Sequence, residues 1–445
     1  MASLLLIQSS FSPLFFATTI LLVFCSVCFL NDQPTSSSRP QGLVFPVTKD
    51  GSTLQYLTSI MQRTPLVSQS LVVDLAGEHP WVNCEKGYVS SSNRTLNCFG
   101  RECSKLQLSS TVCLHKPAQP RYKSFMGCLV FPSNKLPGGN FTSGYLTSDV
   151  VSMQSCINGS TTGPYVTARK FSFGCGSTSL LKGLAKGVKG IAGFGPFGIS
   201  VPSQLSLVFR IPRVFAMCLP SSTSSKGVIF IGGGPYKMQP GIDLSTSFTY
   251  TPFCTNATAY YSSEYHIRAK SITVGGKKVS VDKDSLDNGF IKSANINTMI
   301  PYTVLRTSIY NAFTSIFIEK AKALNITRVA SVAPFGVCFD SKNMISTRVG
   351  ALVPEINFFL QTNIVVWRIF RSNSMVKVSD KVSCLGFVDG GNEACHVIGG
   401  SQLENNLLEF NLAKMRLRFT TTLGRQTSCS NFNFKIKEQY LRSSG

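Results

Sequence analysis

The sequence predicts an all-β chain built as two lobes of one repeated topology, and three observations carry that prediction. Apolar runs of strand length, at residues 43–47, 56–60 and 70–75, follow one another closely with Gly and Ser turns between them. A run ending in glycines, Gly190-Ile191-Ala192-Gly193-Phe194-Gly195 with Pro202-Ser203-Gln204-Leu205 behind it, returns as Val397-Ile398-Gly399-Gly400-Ser401-Gln402-Leu403. Only residues 304–324 carry a long helical period, with Ile309, Phe313, Ile316, Phe317 and Ala321 on one face.

Taken in order, the chain opens with residues 1–30, which contain no charged residue and have an apolar centre of signal-peptide length. The basic residue usual ahead of such a centre is missing, so a signal anchor is the competing reading. Ser9, Ser10, Ser12, Thr18 and Thr19 interrupt the run, which favours a secretory signal cleaved near residues 28–33. Residues 31–42 read as a loose Ser- and Pro-rich tail, 43–220 and 221–434 as the two β lobes, and 435–445 as a C-terminal tail. At 445 residues, 43% hydrophobic and 11% aromatic, the chain is long and apolar enough for two cores.

Cleavage would remove Cys25 and Cys28, leaving 15 − 2 = 13 cysteines, which in an oxidising compartment read as six disulfides and one free thiol. Five of them, Cys84, Cys98, Cys103, Cys113 and Cys128, lie in a stretch with little periodicity, expected to be a disulfide-held loop region. Only His115 lies among them and no paired ligand spacing occurs, so a metal site is not expected there. Five glycosylation sequons, at Asn93, Asn140, Asn158, Asn256 and Asn325, agree with secretion.

Lys and Arg number 43 against 21 Asp and Glu, a net charge of +22, without any run of five or more basic residues. Spread charge of this kind argues against nucleic acid and reads first as a solvated basic surface. An anionic cell-wall polysaccharide is the expected partner for it. No cofactor motif occurs: the glycines at 190–195 are not followed by Gly-Lys-Ser/Thr, so they read as a strand passing under a neighbouring loop, where a side chain would clash.

One buried strand, Leu71-Val72-Val73, delivers Asp74 into the turn Leu75-Ala76-Gly77 ahead of Trp81-Val82-Asn83-Cys84. Taken alone, Asp74 reads as a turn residue. With the later motifs Phe173-Gly174-Cys175-Gly176, Pro301-Tyr302-Thr303-Val304-Leu305 and the two glycine runs, the chain resembles the plant pepsin-like proteins without protease activity: the extracellular dermal glycoprotein, basic 7S globulin and xylanase-inhibitor group. The ending Cys429-Ser430-Asn431-Phe432-Asn433-Phe434 is similar to the dermal-glycoprotein branch.

The resemblance implies a bilobal pepsin-like aspartic protease fold with six disulfides among Cys84, Cys98, Cys103, Cys113, Cys128, Cys156, Cys175, Cys218, Cys254, Cys338, Cys384 and Cys429, with Cys395 as the odd thiol. It also places Asn297 where the second catalytic carboxylate would stand, Met299 where Gly would follow, and Val130-Phe131-Pro132-Ser133-Asn134 in place of the flap. One carboxylate cannot serve as both general acid and general base on a shared water, so no peptidase activity is expected. His79, His115, His266 and His396 lie apart without a nucleophile signature.

The family's known activity is inhibition of microbial glycoside hydrolases that degrade cell walls, xylanases or xyloglucan-specific endoglucanases. Such a hydrolase works with two carboxylates in a cleft, which a cation on a rigid loop can enter. The positions matching the inhibitory loops are Arg328 and Arg425. A noninhibitory wall or storage glycoprotein and an active aspartic endopeptidase are the competing readings, the second opposed by Asn297.

Overall fold

The alternation read from the sequence is what builds the sheets. In the strand Tyr56–Gln62 the side chains of Tyr56, Thr58, Ile60 and Gln62 are buried while Ser59 faces solvent, the period-2 pattern of a strand packed on one face. The computed structural model describes residues 39–104, 112–116, 125–254, 264–361, 364–392, 395–423 and 427–435. The expected signal segment, most of the expected N-terminal tail and the end of the expected C-terminal tail lie outside these residues.

Among the described residues fifteen strands form one sheet and nine a second, with smaller sheets of four, two and two strands. The repeat seen in the sequence is a repeat of topology. In the first half the strand Val67–Asp74 pairs antiparallel with Tyr56–Gln62 and parallel with Gly190–Gly193, setting Val72 beside Ile191 and Asp74 beside Gly193. In the second half Phe290–Ile296 pairs antiparallel with Tyr265–Val274 and parallel with His396–Ile398, setting Ile296 beside Ile398. A short strand after each turn then pairs antiparallel with the same third strand, Trp81 beside Ile191 in one copy and Val304 beside Val397 in the other. Each third strand leads into a helix, Val201–Phe209 and Gly400–Leu403.

The glycines of the two runs are there because backbone crosses backbone. A Cβ on Gly193 would lie 2.7 Å from the carbonyl oxygens of Gly77 and His79, and one on Gly399 would lie 2.3 Å from the carbonyl carbon of Tyr302.

The halves are stitched together through the larger sheet, where Asn406–Asn411 pairs antiparallel with Val214–Cys218. Phe215 and Phe410 stack across this pairing with centroids 4.6 Å apart and planes 2° from parallel. Buried Glu404 accepts a hydrogen bond from the Tyr56 hydroxyl at 2.7 Å and pairs with Lys49 at 2.6 Å, tying second half to first.

The predicted helical period forms the helix Thr307–Ala323, whose residues Ile309, Phe313, Ile316, Phe317 and Ala321 are all buried. Asn325 ends it with φ of 57°, a conformation that Asn tolerates better than most residues. The Ile326 N–H closes back on the Ala321 carbonyl at 3.0 Å.

The disulfide expectation needs correction. Five bridges occur among the described residues: Cys84–Cys175, Cys98–Cys113, Cys103–Cys128, Cys218–Cys429 and Cys338–Cys384. Cys156 and Cys254, expected to be bridged, are free thiols, and so is exposed Cys395. Cys156 shares a buried cluster with Cys218 and Cys429, but these two are bonded to each other. Cys254 sits against the strand Tyr265–Val274, its N–H on the His266 carbonyl at 2.8 Å, with Arg268 beside its sulfur. Burial pushes the Cys156 thiol up to about 12 and the Cys254 thiol up to about 11, so both stay protonated and unreactive at neutral pH.

Candidate functional site

The two repeated turns face one another at the centre of the molecule, and their residues define what chemistry survives there. Asp74 is buried, with its Oδ1 accepting the Ala76 N–H at 2.8 Å. Burial raises its carboxyl to about 6, against the lowering effect of the Ala76 hydrogen bond and of Lys135 nearby. Asn297 occupies the topologically equivalent place one residue past Ile296, its N–H on the Ile398 carbonyl at 3.0 Å. Its Oδ1 accepts the N–H groups of Met299 at 2.7 Å and Ile300 at 3.0 Å, so the amide is committed to holding its own turn.

Thr298 reaches across to the first turn: its hydroxyl donates to the Val73 carbonyl at 2.7 Å and accepts the Leu75 N–H at 3.3 Å. The exchange is one-sided, because Leu75 has no hydroxyl to return. Met299 is buried among Val72, Trp81, Leu180, Leu184, Val188 and Ile191. A side chain from the second turn therefore fills space in the first half.

The segment after the strand Phe125–Val130 is folded down over these turns. Trp81 donates its indole N–H to the Ser133 carbonyl at 2.9 Å, and Asn134 donates to the carbonyls of Leu180 at 3.0 Å and Lys182 at 2.9 Å. Lys135 donates to the Ala76 carbonyl at 2.8 Å. Sequence reasoning did not single out Lys135, because its partner lies 59 residues away and only the fold joins them. Beside this segment an apolar cavity of about 370 Å³ is walled by Leu136, Pro137, Met299, Pro301, Tyr302 and Pro334. Its polar lining is used internally: Thr53 donates to Asp50 at 2.7 Å, and Gln55 bonds Gly183 and Ala185.

Arg328 begins a hairpin whose arms pair Arg328 with Phe339 and Val329 with Cys338, and whose tip joins Val332 to Phe335. The Cys338–Cys384 bridge ties this hairpin to the next strand, and Phe335 packs edge-on to Tyr302 with centroids 4.7 Å apart. Arg328 is exposed. Arg425 lies outside the described residues, as does Asn256. Of the other sequons, Asn140, Asn158 and Asn325 are exposed and Asn93 is half-buried.

His79 and His396 are buried with both ring nitrogens unpaired, and burial holds each down to about 4. His266 pairs with Glu264 at 3.2 Å. Among the described residues no group of three or more His, Cys, Asp or Glu is placed to hold a metal ion, and no helix is long and apolar enough to cross a membrane.

Two copies of one strand-and-turn topology, with Asp74 and Asn297 at equivalent places in one bilobal β fold, define a pepsin-like protein. The chain belongs to the xylanase inhibitor family: residues 56–233 match its model described as "Xylanase inhibitor N-terminal", and residues 264–421 match "Xylanase inhibitor C-terminal". It is 48% identical to a "Probable aspartic proteinase GIP2" of Nicotiana benthamiana, over 93% of this chain and 97% of that one. The solved structure of edgp superposes with a TM-score of 0.84 at 47% identity, covering 90% of this chain and 99% of that one. An aspartic proteinase from Irpex lacteus shares the fold alone, with a TM-score of 0.52 at 16% identity over 87% of this chain and 99% of that one.

Proposed function

We propose that this chain is a secreted, glycosylated protein without peptidase activity that binds and inhibits microbial cell-wall-degrading glycoside hydrolases, xyloglucan-specific endoglucanases or xylanases, in plant defence. The observation that carries the reading is the exposed Arg328 at the base of a disulfide-tied hairpin. A cation on a pre-ordered support loses little conformational freedom on binding, which is what insertion between two carboxylates requires. Arg425 is the second proposed contact. The family match supports the same partner class.

Absence of peptidase activity follows from Asn297. Its amide cannot ionise, it already accepts two backbone hydrogen bonds, and Asp74 is left without a second carboxylate to share a proton. The test is titration of the secreted protein against a panel of fungal xylanases and xyloglucanases. Inhibition of at least one, at a stoichiometry near one to one, supports the proposal. If none is inhibited, the protein is a noninhibitory wall glycoprotein.

The net charge of +22 supports delocalised binding to an anionic wall polymer. Retention on pectin should fall steeply with salt, as screening shortens to roughly 3 Å at 1 M. Retention unchanged between low and high salt removes the polysaccharide as a partner.

A further inference from the structure

Lys135 stands where the two halves of the molecule and the folded-down segment meet. Its ammonium donates to the Ala76 carbonyl at 2.8 Å, within the turn that presents buried Asp74. Among the groups that face it are Asp74, Glu78 and His79 on that turn, and Glu264 just before the strand Tyr265–Val274, itself paired with His266. The next two residues, Leu136 and Pro137, wall the 370 Å³ cavity. We propose that Lys135 is a proton-sensitive latch: it holds the segment 131–137 down over the cavity while Asp74 is ionised, and protonation of Asp74 lets the segment lift.

The electrostatic order of the cluster supports a graded release. Burial raises both Asp74, to about 6, and Glu78, so these two lose their charge first as the solution is acidified. Glu264 is held below its ordinary value by its hydrogen bond to His266 and keeps its charge longer. His79 stays neutral down to about 4. On acidification Lys135 therefore loses the charge of Asp74, and that of Glu78, before that of Glu264, which belongs to the other half of the chain. Among the bonds that still restrain the segment are that of Trp81 to Ser133 and those of Asn134 to Leu180 and Lys182.

The molecule carries its own reporter, since Trp81 is one of two tryptophans and its indole is bonded to the Ser133 carbonyl within the segment. The experiment follows the tryptophan emission of the intact protein from pH 8 to 4.5 for wild type, Asp74→Asn, Lys135→Met and His266→Gln. Asp74→Asn keeps the shape of the side chain and its bond to Ala76, and Lys135→Met keeps the apolar stem, so loss of fold is not expected; circular dichroism of each variant checks it. The expected result is a reversible transition near pH 6 in wild type and His266→Gln, absent in Asp74→Asn and Lys135→Met. A flat wild-type profile, or a transition that persists in Asp74→Asn, overturns the latch.

Discussion

The hydroxyl of Thr298, in the second half of the chain, is bonded to two backbone groups that flank Asp74 in the first: it donates to the Val73 carbonyl at 2.7 Å and accepts the Leu75 N–H at 3.3 Å. The two lobes are clasped at the turns that carry Asp74 and Asn297.

Thr298→Val removes both hydrogen bonds while keeping the volume, and leaves the Leu75 N–H and Val73 carbonyl buried without that partner. An unsatisfied buried polar group costs about 1–3 kcal/mol. The variant should unfold at lower urea concentration, with Thr298→Ser retaining most of the stability. Equal midpoints for wild type and Thr298→Val would show that the clasp contributes nothing.

Restoring a carboxylate should not restore a protease. In Asn297→Asp the new group would still accept the N–H groups of Met299 and Ile300, while Met299 fills space in the first half and Lys135 is bonded beside Asp74. The expected outcome is no pepstatin-sensitive digestion of haemoglobin by the variant at pH 2–5. Digestion above the wild-type background would mean that Asn297 alone silences the site.

Acid should destabilise the fold through His79 and His396. Both have folded-state values of about 4, below the 6.5 of an exposed imidazole. Each therefore contributes stability in full above pH 6.5, and that contribution is lost as pH falls through 6.5 towards 4, up to about 3 kcal/mol per residue. His396→Asn should flatten the dependence of the urea midpoint between pH 7 and 4.5. A slope equal to that of wild type would place the acid sensitivity elsewhere.

A glycan on Asn325 should weaken inhibition. Asn325 is exposed in the turn that leaves the helix, three residues before Arg328. Protein carrying Asn325→Gln should inhibit a sensitive hydrolase more tightly than protein with that site occupied, as determined by mass spectrometry. Equal inhibition constants at full occupancy would show that the glycan points away from the contact.

Much of the fold was legible because its signals are local. Period-2 burial in Tyr56–Gln62, the 3.6-residue face of Thr307–Ala323 and the Gly pairs at the two crossings each declare themselves within a few residues. The equivalence of Asp74 and Asn297 was legible for a related reason: the strand repeat brings them to equivalent places, so aligning the motifs aligned the residues. Lys135 was not legible, since an exposed-looking Lys acquires its role only when a distant carbonyl arrives beneath it. Nor were the free thiols of Cys156 and Cys254. Counting cysteines gives a number of possible pairs, whereas bonding needs two sulfurs to meet, and the two cysteines that share a buried cluster with Cys156 are bonded to each other.

The central claim, that Arg328 enters a hydrolase cleft, is tested most directly by the inhibition constant of Arg328→Ala against a xylanase or xyloglucanase that the wild-type protein inhibits. Truncating one partner of a desolvated charge pair costs on the order of 2–5 kcal/mol, so the constant should rise by about 30-fold or more while the urea midpoint stays that of wild type. An unchanged inhibition constant would contradict the cleft-insertion mechanism.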